Sequence, residues 1–175
     1  MTVPSDHALP TAASFTPGPS RERALRTALG AFATGVTVVT CGSSDGPLGF
    51  TANSFTSVSL DPALVLWCPS IRSERHDAFV AASHFAIHVL SEHQLALSQR
   101  FAERAEDFTG IDWEESAEGV PHLSGCLTRL DCRHFASHGA GDHTIVIGQI
   151  ERVTHRPGTP LLFALGAYGR LGGTL

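Results

Sequence analysis

Residues 36–68, VTVVTCGSSDGPLGFTANSFTSVSLDPALVLWC, decide the fold. Val36 to Cys41 is a β-branched run, and such runs suit a pleated, half-buried surface. GSSDG at 42–46 reads as a turn, after which Pro47 to Leu60 continues as strand, with Leu48, Phe50, Val58 and Leu60 scattered among hydroxyl side chains. Asp61 and Pro62 punctuate the chain before the apolar run ALVLWC at 63–68. One strand follows another here with no helical period between them.

Outward from this stretch the signals alternate irregularly. Before it, Ser20 is a plausible N-cap, Leu25, Ala28, Leu29 and Phe32 recur at helical spacing, and Gly35 ends the run. After it, residues 74–82 suit a short helix, and Phe85, Ile87 and Val89 alternate as a half-buried strand does. Ser91 and Gln94 form an S-x-x-Q capping box for a helix carrying Leu97 and Phe101. Arg104 to Pro121 reads as the longest loop, acidic and irregular, with Phe108, Ile111 and Trp113 as anchors. From Cys126 the even positions Thr128, Leu130 and Cys132 favour one face, and GAGD at 139–142 separates that strand from HTIVIGQIERV at 143–153, a long hairpin. RPGTP at 156–160 turns into a last strand, LLFALG. About seven strands with two or three helices point to a mainly antiparallel barrel with helices outside, rather than a doubly wound parallel sheet, because closure protects strand edges.

The chain has 175 residues, the size of a single core, so one domain over residues 20–175 is expected after a disordered tail at 1–19 rich in Pro, Ser, Thr and Ala. Twelve basic against 17 acidic side chains, a net charge of −5, argue against a basic face for nucleic acid. Every basic residue is Arg, which excludes Schiff-base chemistry and a P-loop lysine. The longest apolar run, Ala63 to Cys68, is far short of the roughly 20 residues of a membrane-spanning helix. The first twenty residues carry no basic side chain and no apolar core of a secretory signal, so a cytoplasmic location is expected. Cys41, Cys68, Cys126 and Cys132 form no CxxC pair and suit reduced core thiols.

Four constellations invite chemistry. GSSDG is a literal G-x-S-x-G, but Pro47-Leu-Gly-Phe-Thr continues as strand where a hydrolase elbow needs a helix. His84, His88 and His93, or His134, His138 and His143, match no strong metal template, so no metal is expected. GAGDHT at 139–144 begins like a dinucleotide fingerprint, yet Thr144 replaces the third glycine and no helix follows, which leaves a turn with Asp142 and His143 at its exit. TANSFTSVSL at 51–60 places five hydroxyls within nine residues beside Asn53, a set suited to phosphate or a heterocycle edge in a chain without lysine. Solvent-facing strand filler explains the same hydroxyls.

FATGVTVVT (32–40), the G-F-TANSFTSVSLDP segment (49–62), FAIHVLSEHQ (85–94) with RFA (100–102), and GDHTIVIGQI (141–150) together resemble the small flavin reductase family, the NAD(P)H-dependent partners of two-component flavin monooxygenases. The similarity runs in order from about residue 24 to 170. It implies an antiparallel split β-barrel, a homodimer, FMN or FAD as flavin, NADH or NADPH as reductant, and a separate oxygenase that receives reduced flavin. The family's flavin site falls on Thr51, Ala52, Asn53 and Ser54, then Ser57, Val58 and Ser59, with Cys68 and the loop Ser70 to Ser73 near the ring edge and phosphate, and Phe101 and Ala102 on another side. Its G-D-H motif is Gly141, Asp142 and His143, where nicotinamide approaches. Ala63 and Gln149 depart from the family pattern, and the end FALGAYGRL leaves Tyr168 and Arg170 as C-terminal nucleotide contacts.

The resemblance thus implies hydride transfer, with His143 and Asp142 in catalytic roles, and exposed Phe108, Ile111 and Trp113 are read as seeking a second copy. The alternative is a barrel that binds flavin or haem without turnover.

Overall fold

A computed structural model describes residues 12–172. A 3-10 turn at Pro19–Arg21 leads into helix α1 (Glu22–Leu29), then strands β1 (Thr34–Gly35), β2 (Thr37–Ser43), β3 (Gly46–Ala52), β4 (Thr56–Leu60) and β5 (Ala63–Trp67). Helix α2 (His76–Ala81), β6 (His84–Val89), α3 (Leu95–Glu103), β7 (Trp113–Glu115), β8 (Pro121–Leu123), β9 (Thr128–Ala140), β10 (His143–His155), β11 (Leu162–Ala164) and β12 (Ala167–Gly169) complete the order.

Seven strands form one sheet in the order β3-β2-β6-β9-β10-β5-β4, each pair antiparallel. Its two edges, β3 and β4, are consecutive in the chain. The link at 53–55 lets Ala52 and Thr56 lie at most about 14 Å apart, so the sheet must curl until its edges meet. No ladder joins them, and the result is a split barrel. The expectation that closure removes every edge is corrected at this seam: β3 is covered by α3, while β4 stays open, with Leu60 95% exposed.

Both faces of β2 are buried, which explains its nearly continuous apolar run. Val39 and Cys41 join Trp67, Phe79, Phe85, Ile87 and Val146 inside the barrel. Val36 and Val38 face the other way, toward Leu90, Phe101, Phe108 and Leu123. Phe108 is buried there, with Ile111 and Trp113 packed against the same cluster, so these three are core anchors and not the exposed surface expected to seek a second copy. The loop predicted at 104–121 also contains β7, which pairs with β8 at the loop's end, both too short for periodicity to reveal.

The first helix is shorter than its sequence period. It ends at Leu29, Ser20 lies within the 3-10 turn instead of capping it, and Thr34–Gly35 pairs with β11. None of its residues is buried, and Leu29 and Phe32 are largely exposed. The expected tail at 1–19 falls mostly outside the described residues, and 12–18 has no regular structure. Half of the capping box forms: the Ser91 backbone N–H donates to Gln94 Oε1 at 3.0 Å, and α3 begins at Leu95. The long hairpin is tighter than GAGD suggested. Gly139 and Ala140 pair within the ladder, and only Gly141, at φ 66°, and Asp142 make the turn. GSSDG is the β2–β3 turn, where Ser43 Oγ donates to Gly46 O at 2.7 Å and no helix follows.

Candidate active site

The hydroxyl stretch splits at the seam. Thr51 and Ala52 end β3, Asn53 and Ser54 make the corner, and Ser57, Val58 and Ser59 lie on β4, where a bulge displaces the register. Thr51 Oγ1 donates to Ser98 O at 2.6 Å, tying β3 to α3. The Cys68 N–H donates to Ser54 Oγ at 2.9 Å, tying the corner to the end of β5, and burial pushes the Cys68 thiol up from its ordinary pKa. Ala52 is buried, and its carbonyl accepts from Thr37 Oγ1 at 2.7 Å. These hydroxyls are therefore occupied in fixing backbone. Asn53 differs: its side chain is exposed at the corner, with no hydrogen-bond partner among the described residues.

After β5, Pro69 to Ser73 forms a loop stitched to the β9–β10 turn. The Ile71 N–H donates to Asp142 O at 3.0 Å and the Thr144 N–H to Pro69 O at 3.0 Å, while Ser70 bridges His143. Ser73 Oγ accepts from the Arg75 N–H at 3.3 Å. At the turn, His143 Nδ1 lies 2.8 Å from Asp142 Oδ1, and the hydrogen bond and charge of the ring hold the Asp142 carboxyl below the usual carboxylate range. Because a carboxylate only accepts, Nδ1 carries the proton, which leaves Nε2 as the acceptor of the neutral ring on a side chain 43% exposed.

Helix α3 closes the other side. Phe101 is fully buried, stacked near Phe108 at 4.9 Å and against Gly49, so its ring belongs to the core. What the segment presents is backbone: the Phe101 and Glu103 carbonyls accept from the Arg75 guanidinium at 2.8 and 2.7 Å, with Ala102 exposed between them. The contacts close a circuit from Thr51 through α3, Arg75, the 69–73 loop and the Asp142–Thr144 turn, back through Cys68 to Ser54. The residues predicted from β3, β5, α3 and the turn come together in it. Ser57, Val58 and Ser59 make no contact in the circuit, and Ser59 Oγ only accepts from the Asp61 N–H, at 3.2 Å.

A cleft of about 170 Å³ opens against Thr51, Ala52 and Asn53, walled by Val36, Phe163 and Tyr168. Tyr168 Oη lies 3.0 Å from Ser98 Oγ, and its ring meets Phe163 edge-on at 5.1 Å. Arg170, by contrast, reaches Glu92 at 3.8 Å. An apolar-walled cleft with a free carboxamide at its edge fits the edge of a planar heterocycle, and the exposed guanidinium of Arg72, on the same loop as the Ser73 hydroxyl, suits an anion. A flavin is compatible with this donor set. Sequence reasoning missed Arg75, Ser98 and Phe163. Arginines in SIRSER were the only signal, and nothing in the order of residues tells which carbonyl a guanidinium will reach.

Elsewhere the histidines are structural or solvated. His88 is fully buried, with Nδ1 3.1 Å from Val38 O and Nε2 accepting from the Leu123 N–H at 3.1 Å. Among the described residues no three His, Cys, Asp or Glu side chains gather as metal ligands.

Comparison with known proteins gives a consistent picture. The profile of the flavin reductase like domain matches residues 29–172. The chain is 54% identical, over 97% of its length and 98% of the relative's, to the FMN reductase (NADH) SmoA of Agrobacterium fabrum. It is 41% identical to HsaB, the reductase subunit of a flavin-dependent monooxygenase of Mycobacterium tuberculosis, covering 83% of this chain and 80% of that one. The solved NADH:FAD oxidoreductase SgcE6 of Streptomyces globisporus superposes with a TM-score of 0.85 at 36% identity, covering 93% of this chain and all of the other.

Proposed function

The chain belongs to the flavin reductase like domain family, and from that premise we propose how its residues serve the reaction. It is an NADH-dependent flavin reductase that passes a hydride to FMN or FAD and supplies reduced flavin to a separate monooxygenase. The observation that carries this is the 54% identity to an NADH-dependent FMN reductase along nearly the full length of both chains. The relatives are reductases, and the binding-only alternative gains no support from them.

When bound, the flavin supplies the hydride acceptor, and the protein contributes orientation and electrostatics. Asn53 would hold the heterocycle edge at the cleft, while Thr51 and Ser54, committed to Ser98 and Cys68, keep the strand end and corner rigid. The Arg72 guanidinium, with the Ser73 hydroxyl on the same loop, would take the phosphate. His143, its tautomer fixed by Asp142, would meet the nicotinamide through Nε2. Ser57, Val58 and Ser59 hold a place only at the rim, on the open edge strand. The flavin must leave reduced, and an open cleft at an unsealed seam serves release better than a closed cavity does.

The functional unit is read as a homodimer, supported by exposed Leu29, Phe32 and Leu60 on a chain of this size. No described helix is long and apolar enough to cross a membrane, and dependence on NADH supports a cytoplasmic location. Mixing the protein with NADH and catalytic FMN, then FAD, and following loss of nicotinamide absorbance tests the reading. Absence of flavin-dependent NADH oxidation with either flavin would overturn it.

A further inference from the structure

We propose that His76, which no motif in the sequence singles out, is a positioning residue for hydride transfer: it fixes the Asp142–His143 turn relative to the flavin side of the site. The proposal rests on the reductase reading above. His76 Nδ1 lies 2.8 Å from Asp77 Oδ1, and Nε2 lies 2.8 Å from Thr144 Oγ1. Since the carboxylate only accepts, Nδ1 carries the proton, and in the neutral ring Nε2 accepts from the Thr144 hydroxyl. The ring is 16% exposed, whereas its Asp77 partner is fully in solvent. The contact that is shielded, and therefore geometrically demanding, is the one to Thr144, the neighbour of His143.

Backbone bonds alone do not explain the placement of the turn. They fasten it to the Pro69–Ser73 loop, where only Pro69 is buried, and two surface segments that tie chiefly to each other can shift as a pair. Helix α2 supplies the fixed point. Its Phe79 is fully buried in the barrel, edge-on to Trp67 at 5.3 Å and to Phe50 at 5.8 Å. From the start of that helix, consecutive side chains reach in two directions: Arg75 to the Phe101 and Glu103 carbonyls of α3, and His76 to Thr144. The pair braces the flavin-side helix against the nicotinamide-side turn, so it sets the spacing on which a near-attack arrangement depends. A misplacement of about 1 Å there lowers a rate by about 100-fold.

Two substitutions separate the ring's nitrogens. The amide of Gln reaches the Nε2 position and keeps Thr144, whereas that of Asn reaches only the Nδ1 position and keeps Asp77. The single-turnover rate of FMN reduction by NADH should fall about 10- to 100-fold in His76→Asn and in Thr144→Val. His76→Gln should recover most of that loss. Flavin affinity and melting temperature should stay close to the parent's in all three. In the flavin-free protein, hydrogen exchange at the Ile71 and Thr144 amides should quicken about tenfold in His76→Asn and stay slow in His76→Gln, with β2 and β6 unaffected. A His76→Asn variant with parental hydride transfer and parental exchange overturns the proposal. So does one in which rate, flavin affinity and melting temperature fall together, which marks His76 as scaffold. A parent protein that fails to oxidise NADH with flavin overturns the reductase reading first, and the proposal with it.

Discussion

A histidine titrates in water near neutrality, yet His88 sits at the centre of this fold, where burial drives its pKa down to about 3 from 6.5. The sign of the consequence follows directly. Below about pH 6.5 the unfolded chain takes up a proton that the native state refuses, so the stability that His88 contributes is intact above that pH and declines as pH falls toward 3. Unfolding free energies from urea titrations at pH 7 and pH 5 should therefore differ more in the parent than in His88→Gln, by up to about 1.4 kcal/mol per pH unit. Asn53 is the opposite case, polar and unengaged at a corner. Asn53→Ala should weaken FMN binding by about 1–3 kcal/mol without lowering the melting temperature, measured by flavin titration beside calorimetry. Cys41 and Cys132 tell the same story as His88, since burial pushes both thiols up to about 12 and leaves them inert at neutral pH.

At the scale of elements, the close approach of α3 to β3 depends on a missing side chain. A Cβ on Gly49 would stand 2.4 Å from the Phe101 ring, and the Gly49 N–H donates to Ala105 O at 2.8 Å. Gly49→Ala should destabilise the protein by about 1–3 kcal/mol in chemical denaturation and loosen flavin binding, because α3 carries the Ser98 carbonyl that holds Thr51. The β11–β12 hairpin shows local conflict instead. Leu165, 74% exposed, occupies the left-handed region at φ 52°, just before Gly166 at 77°, where a two-residue turn of this hand favours Asn-Gly. Leu165→Asn should raise stability by about 1 kcal/mol in thermal unfolding. The periods of β2, β6, β9 and β10 were legible because each alternates or runs against a core. The pair β7–β8 was not, since three residues give no period and their pairing depends on Phe108 and Trp113 packing beneath.

At the scale of the whole molecule, apolar surface remains where α1, β4 and the loop after β5 meet solvent. Leu60 is 95%, Phe32 79% and Leu29 66% exposed, large apolar side chains that a second copy could cover. Sedimentation at micromolar concentration should give twice the mass of one chain, and Phe32→Glu with Leu60→Glu should shift the equilibrium toward the monomer. A wild-type protein that sediments as a monomer would refute the homodimer.

From residue order alone came the strand-rich character, the long hairpin with a connection at 139–142, and the family with its chemistry. These are set by local backbone preference and by patterns that recur in one chain segment. Tertiary structure decided what those patterns could not: that β3 and β4 form an unsealed seam, that the hydroxyls of Thr51 and Ser54 face inward to bonds while Asn53 does not, that Phe101 serves the core, and that Arg75 and His76 reach opposite sides of the site. Each depends on which atoms from distant segments arrive within about 3 Å, and directional hydrogen bonds at that range are fixed by packing across the whole barrel.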